Sequence, residues 1–160
     1  MSIETEAAGT GTSTDRIEKV MELRAPRSRV WRAISTAEEF AQWFRVKLDG
    51  TFAEGATVTG DVSHADGRHA CAIEMQIERM EPEGYFSYRW HPYPMDPTVD
   101  YSSEPTTLVE FTLQETESGT TLTIVESGFD QIPIARRAEA LLMNTGGWAG
   151  QMKNLARYVE

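Results

Sequence analysis

The residue best placed to do chemistry is Glu126. Leu122, Ile124 and Glu126 alternate, so a strand through them turns a carboxylate toward the side that otherwise carries apolar residues. Burial makes a carboxyl hold its proton more tightly, so such a group could act as a general acid or base, or hydrogen-bond a ligand. Two plainer readings stand beside this one: a solvent-exposed strand end, or a structural pair with an arginine such as Arg89. Tyr88 and His91 are the other groups that could move a proton, but no complete catalytic constellation is present, and Glu126 is the one candidate to test. Phosphate-binding glycine loops, zinc-protease helices and nucleophile elbows are all missing.

Metal chemistry has little to build on. His64, His69 and His91 are the only histidines, and the first two flank Asp66-Gly67, across which they could approach each other. With no third ligand evident they read as solvated side chains, and neither a metal nor another cofactor is expected. Cys71 is the single cysteine, which excludes an intramolecular disulfide and thiolate zinc binding, and it falls on an apolar strand face as a small core residue.

The aromatic residues offer binding rather than bond making. Trp43, Phe44, Phe86, Tyr88, Trp90, Phe111 and Trp148 sit at inward positions and could wall a cavity, with polar tips on Tyr88 and the tryptophans. Together with Met75, Glu126, Asn144 and Met152 they form the candidate ligand-binding set. The same side chains could complete a solid core, because alternation identifies inward residues without measuring a void. The helical stripe of the last segment points Trp148 toward the sheet.

These residues are positioned by a simple order of elements. Met1 to about Asp15 is rich in Gly, Ser, Thr and Glu without hydrophobic period and reads as a mobile tail, leaving residues 16–160 as one domain. Ile17, Lys19, Met21 and Leu23 alternate with Glu18, Val20, Glu22 and Arg24, as in a half-buried strand. Pro26 ends it and suits the first turn of a short helix striped by Val30, Trp31 and Ile34. Thr36 and Glu39 have capping-box spacing ahead of a second helix carrying Phe40, Trp43 and Phe44.

From Val46 to Glu126 short alternating runs between turn residues predict an antiparallel meander. Turns are expected at Asp66-Gly67, Pro82 to Gly84 and Glu117 to Gly119, and a long proline-containing loop over His91 to Pro105. Cys71, Ile73, Met75 and Ile77 share one face of their strand, as do Phe86, Tyr88 and Trp90, and then Val109, Phe111 and Leu113. Ile134, Ala138, Leu141, Leu142, Thr145, Trp148, Met152, Leu155 and Val159 form a helical stripe, in which Gly146, Gly147 and Gly150 predict a kink.

Bulk properties restrict partners. A 160-residue chain with 40% hydrophobic residues is long enough for one well-buried core. Its formal charge of −10 repels phosphate backbones and anionic headgroups, so nucleic acid is not an expected partner. No run approaches the roughly 20 apolar residues of a membrane span, and the start Met1, Ser2, Ile3, Glu4 does not read as a secretory signal, so a cytoplasmic location is expected.

This order resembles the helix-grip superfamily of START-like, birch-pollen-allergen-like and polyketide-cyclase proteins, together called SRPBCC. Ala25-Pro26, Val30-Trp31, Ile34 and Trp43 resemble the opening of its activator-of-90-kDa-heat-shock-protein ATPase-like branch, and Ser127-Gly128-Phe129, Gly147-Trp148 and Leu155 resemble that branch's closing motifs. The resemblance covers about Arg16 to Glu160. It implies an α+β fold in which a curved antiparallel sheet of six or seven strands wraps a long C-terminal helix, with two short helices after the first strand. It also implies an internal cavity for a small hydrophobic molecule, lipid-like or polyketide-like, with Trp148 over it as a wall whose truncation should change ligand affinity more than stability. A protein-interaction or chaperone-regulating module is the alternative, and a cyclase- or hydrolase-like enzyme using the same cavity the second. The namesakes' additional chaperone-binding N-terminal domain is not expected in this chain.

Overall fold

The computed structural model describes residues 14–63, 69–94, 96 and 98–160, and of residues 62–63 and 69–71 the backbone alone. Strand β1 (Arg16–Leu23) leads through Pro26 into helices α1 (Arg27–Ser35) and α2 (Ala37–Phe44). Six strands follow: β2 (Val46–Asp49), β3 (Thr57–Ser63), β4 (His69–Glu81), β5 (Tyr85–Trp90), β6 (Thr107–Thr116) and β7 (Gly119–Ser127). A short 3-10 turn at Phe129–Gln131 precedes helix α3 (Ile134–Val159). All seven strands form one antiparallel sheet in the order β1-β7-β6-β5-β4-β3-β2, so the expected meander returns at its far edge to the strand that opened the chain.

The alternation read from sequence is the alternation that is buried. Tyr88, Phe86, Val109, Phe111, Leu122 and Met75 are fully buried, and Ile124, Ile77, Leu113 and Ile73 nearly so. In β1, Ile17 and Leu23 face the core while Val20 is 60% exposed. Burying one face of each strand against α2 and α3 is what pins the register, since a one-residue slip would turn every apolar side chain to water. Gly119 lets β7 begin: a Cβ there would lie 2.0 Å from the Leu23 carbonyl oxygen, too close for any side chain beside β1.

Several local expectations are corrected. The capping box does not form: Thr36 donates its hydroxyl to the Arg32 carbonyl at 2.8 Å, and Glu39 turns instead to Arg29 at 2.6 Å and Arg32 at 3.0 Å. Two arginines one helical turn apart offer the carboxylate more than a lone backbone N–H does. Pro26 sits one residue earlier than expected, as the N-cap of α1, its carbonyl accepting from Arg29 and Val30. Thr14 and Asp15, placed in the tail by composition, are tied down, because Gly128 and Phe129 donate backbone N–H groups to the Asp15 carbonyl at 3.1 and 3.0 Å. Residues 1–13, His64 and the Asp66-Gly67 turn lie outside the described residues, as do the side chains of His69 and Cys71.

The stripe on α3 holds for its second half only. Trp148, Met152, Leu155 and Val159 are buried, whereas Ile134 is 82% and Leu142 71% exposed. The first turns of the helix rest on the loop after β5: Arg136 donates to Glu104 and to the Tyr93 carbonyl, and its guanidinium stacks 4.7 Å over the Tyr101 ring. Polar docking there leaves Ile134 and Leu142 in water, while Ala140 is buried and Leu141 packs partly buried against the core. The glycines do not split α3, which runs unbroken for 26 residues.

Candidate functional site

Where β5, β6, β7 and α3 meet, four neutral donors close on one buried carboxylate. Register brings the strand residues together, since Trp90 pairs with Thr107 and Val109 pairs with Glu126 across the β5-β6 and β6-β7 ladders. Asn144 and Trp148, four residues apart, share one face of α3 and descend on the same point. Oε1 of Glu126 accepts from the Trp148 indole N–H at 2.8 Å and the Asn144 amide at 3.1 Å. Oε2 accepts from the Trp90 indole at 2.8 Å, the Thr107 hydroxyl at 2.6 Å and the Asn144 amide at 3.2 Å.

Glu126 is fully buried, and among the described residues no Lys, Arg or His is buried with it. Indole and amide N–H groups only donate, so both carboxyl oxygens accept hydrogen bonds here. Neutral dipoles fixed by the fold therefore do the work that a cation would do elsewhere, and with both oxygens engaged neither is left free to take a substrate proton. Arg89, offered by sequence as a partner, lies on the outer face of β5 and pairs with Glu78 at 3.0 Å. The exposed-strand-end reading is likewise corrected, because β7 continues into a turn held by Asp15.

Beside this cluster lies a continuous aromatic interior. Tyr88 meets Trp90 at 5.1 Å between ring centroids, Phe86 at 5.7 Å, and Phe40 and Phe111 at 6.3 Å. Trp148 touches Phe111 at 5.8 Å, Trp90 at 5.9 Å and Phe44 at 6.0 Å. Within it the Tyr88 hydroxyl is buried with no hydrogen-bond partner among the described residues. Burial, reinforced by the nearby Glu126 charge, raises the Tyr88 phenol well above its ordinary value, so it is neutral at any physiological pH.

Of the residues proposed from sequence, Trp90, Glu126, Asn144 and Trp148 converge, and Phe44, Phe86, Tyr88 and Phe111 surround them. Trp43 is placed otherwise: its indole donates to the Ala33 carbonyl at 2.8 Å and locks α2 onto α1. Met75 and Met152 are buried in the common core without a role in the polar cluster. His91 is engaged at the loop, 3.1 Å from the Glu104 carbonyl. Thr107, Phe40 and Phe52 were missed. Thr107 had a signal, lying two residues before Val109 on the same face, and Phe40 had its place on the apolar stripe of α2. Phe52, which stacks on Phe86 at 5.4 Å, lies in a segment between strands where no periodicity marks it.

Residues 24–160 match the family described as Activator of Hsp90 ATPase homolog 1-like protein. No curated protein sequence matches the chain. Among solved structures, a protein from Mesorhizobium loti is 23% identical with a TM-score of 0.70, covering 89% of this chain and 95% of its own. The Aha1 dimer from Colwellia psychrerythraea is 14% identical with a TM-score of 0.68, covering 91% and 96%. DynU16, a protein in the dynemicin biosynthetic locus, is 24% identical with a TM-score of 0.68, covering 90% of this chain and 46% of its own. These likenesses show a shared helix-grip fold. No helix among the described residues is long and apolar enough to cross a membrane.

Proposed function

As the chain belongs to the Activator of Hsp90 ATPase homolog 1-like family, we propose that it binds a small apolar or aromatic molecule between sheet and α3, with the Tyr88 hydroxyl as polar contact. One observation carries this reading: a fully buried hydroxyl without a partner, ringed by aromatic side chains. An unmade hydrogen bond in such surroundings costs about 1 to 3 kcal/mol. A molecule inserting among these rings exchanges aromatic contacts for others of similar worth and adds the bond that Tyr88 lacks. DynU16, of the same fold, belongs to a biosynthetic locus, which agrees with a ligand of natural-product character.

The test pairs native mass spectrometry of gently purified protein with the variant Tyr88→Phe. A co-purifying small molecule is expected from the parent protein and a reduced share of it from the variant, while the ligand-free variant gains about 1 kcal/mol in urea unfolding because the orphaned hydroxyl is gone. An ordered water at Tyr88 would instead make Tyr88→Phe cost stability, because the hydroxyl would then have a bond to lose, and would leave the ligand unaffected. That result, or no small molecule at all, defeats the reading.

A protein-interaction role, chaperone regulation included, is favoured by a different observation. The adjacent apolar residues Leu142 and Met143 are left 71% and 45% exposed on α3, and Ile134 is 82% exposed at its first residue. Light scattering across a concentration series, and the ATPase rate of a 90-kDa heat-shock chaperone with and without this protein, test it against Leu142→Glu. The enzyme reading loses support because the donors around Glu126 occupy its oxygens.

A further inference from the structure

Among the described residues, the buried acidic side chain that acts on Tyr88 is Glu126. Tyr88 pairs with Val109, and Val109 with Glu126, so the two side chains project from one row across three adjacent strands. Two strand spacings separate their backbones by about 10 Å. Glu126 brings a carboxylate with only neutral donors around it, and no buried cation is present among the described residues to balance a second anion. The formal charge of −10 acts in the same direction at longer range.

Resting on the ligand-binding reading above, we infer that the site selects uncharged aromatic molecules carrying one carbonyl or hydroxyl group for Tyr88, and rejects carboxylates such as fatty or aromatic acids. A ligand carboxylate at Tyr88 would have one O–H donor for its several lone pairs and would feel Glu126 through a low-dielectric interior. A ketone or alcohol needs only the one bond that Tyr88 can make. If the two charges lie about as far apart as the two strand spacings, roughly 10 Å, their repulsion with partial screening gives an affinity difference on the order of tenfold.

Equilibrium dialysis at pH 7.5 with 2-acetylnaphthalene, 2-naphthoate and naphthalene tests this on matched ring systems. The expected order places 2-acetylnaphthalene first, with 2-naphthoate at least about tenfold weaker. Tyr88→Phe should bring 2-acetylnaphthalene down to the level of naphthalene, a loss of about three- to tenfold, and leave naphthalene unchanged. If 2-naphthoate binds as well as 2-acetylnaphthalene, or Tyr88→Phe leaves their ratio to naphthalene unaltered, the selectivity is wrong while ligand binding stands. If none of the three binds, this inference falls together with the reading beneath it.

Discussion

Glu126 and Glu39 both tie α3 to the rest of the fold, the first at Asn144 and Trp148 near its middle and the second at Tyr158 close to its end. Glu126 is wholly buried and answered by neutral donors. Glu39 has a side chain 21% exposed and is answered by Arg29 and Arg32, with the Tyr158 hydroxyl at 3.1 Å and the Arg29 guanidinium 4.8 Å over the Tyr158 ring. Burial pushes Glu39 up, but the hydrogen bonds from Arg29, Tyr158 and Arg32 outweigh it and hold the carboxyl below its ordinary value. The difference follows from water. At the rim long cationic side chains keep their heads partly hydrated, whereas inside the sheet a guanidinium would lose its hydration, and short rigid dipoles cost less to bury.

That contrast breaks most visibly in Glu126→Ala. Removing the carboxylate strands two indole N–H groups, a hydroxyl and an amide in the interior, and urea unfolding should show a loss of about 4 kcal/mol. A loss under about 1 kcal/mol would mean that water reaches the cluster and that the buried-charge account is wrong. Trp148→Phe separates the hydrogen bond from the ring area, because most aromatic contact survives while Oε1 keeps only Asn144. The expected loss is about 2 kcal/mol. Trp148→Ala, which also removes contacts with three rings, should cost about 3 to 5 kcal/mol.

Glu39→Ala should cost only about 1 kcal/mol, and the cost should shrink in high salt, which leaves the Glu126 effect unchanged. The rim pair also has a pH signature. Its folded value lies below the unfolded one, so its stabilisation is present above about pH 4.3 and is lost as the pH falls through the folded value. Thermal unfolding between pH 6 and 3 should lose part of its acid slope in Glu39→Ala. Unchanged slope would remove Glu39 from the account. The smallest effect expected is a gain: a Cβ at Gly147 meets nothing within 4 Å, so Gly147→Ala should stabilise α3 by about 0.5 to 1 kcal/mol without disturbing either cluster.

Sequence alone determined which way side chains face. Period-two alternation turned Phe86, Tyr88, Trp90, Phe111 and Glu126 inward, the helical period did the same for Trp148, Met152 and Leu155, and the order of elements with its short motifs was enough for the family. Direction relative to an element's own axis is a local property, set by backbone geometry and the need to bury one face. What meets what is not local. Trp90, Thr107, Asn144 and Trp148 reach Glu126 from 36, 19, 18 and 22 residues away, and only strand register and the docking of α3 put them within hydrogen-bonding distance. That docking left Ile134 and Leu142 in water, the packing of α2 on α1 gave Glu39 to two arginines instead of a helix cap, and the assembled core enclosed the Tyr88 hydroxyl without a partner. Tertiary structure decided these points because each depends on the distance between elements, which packing sets and periodicity does not encode.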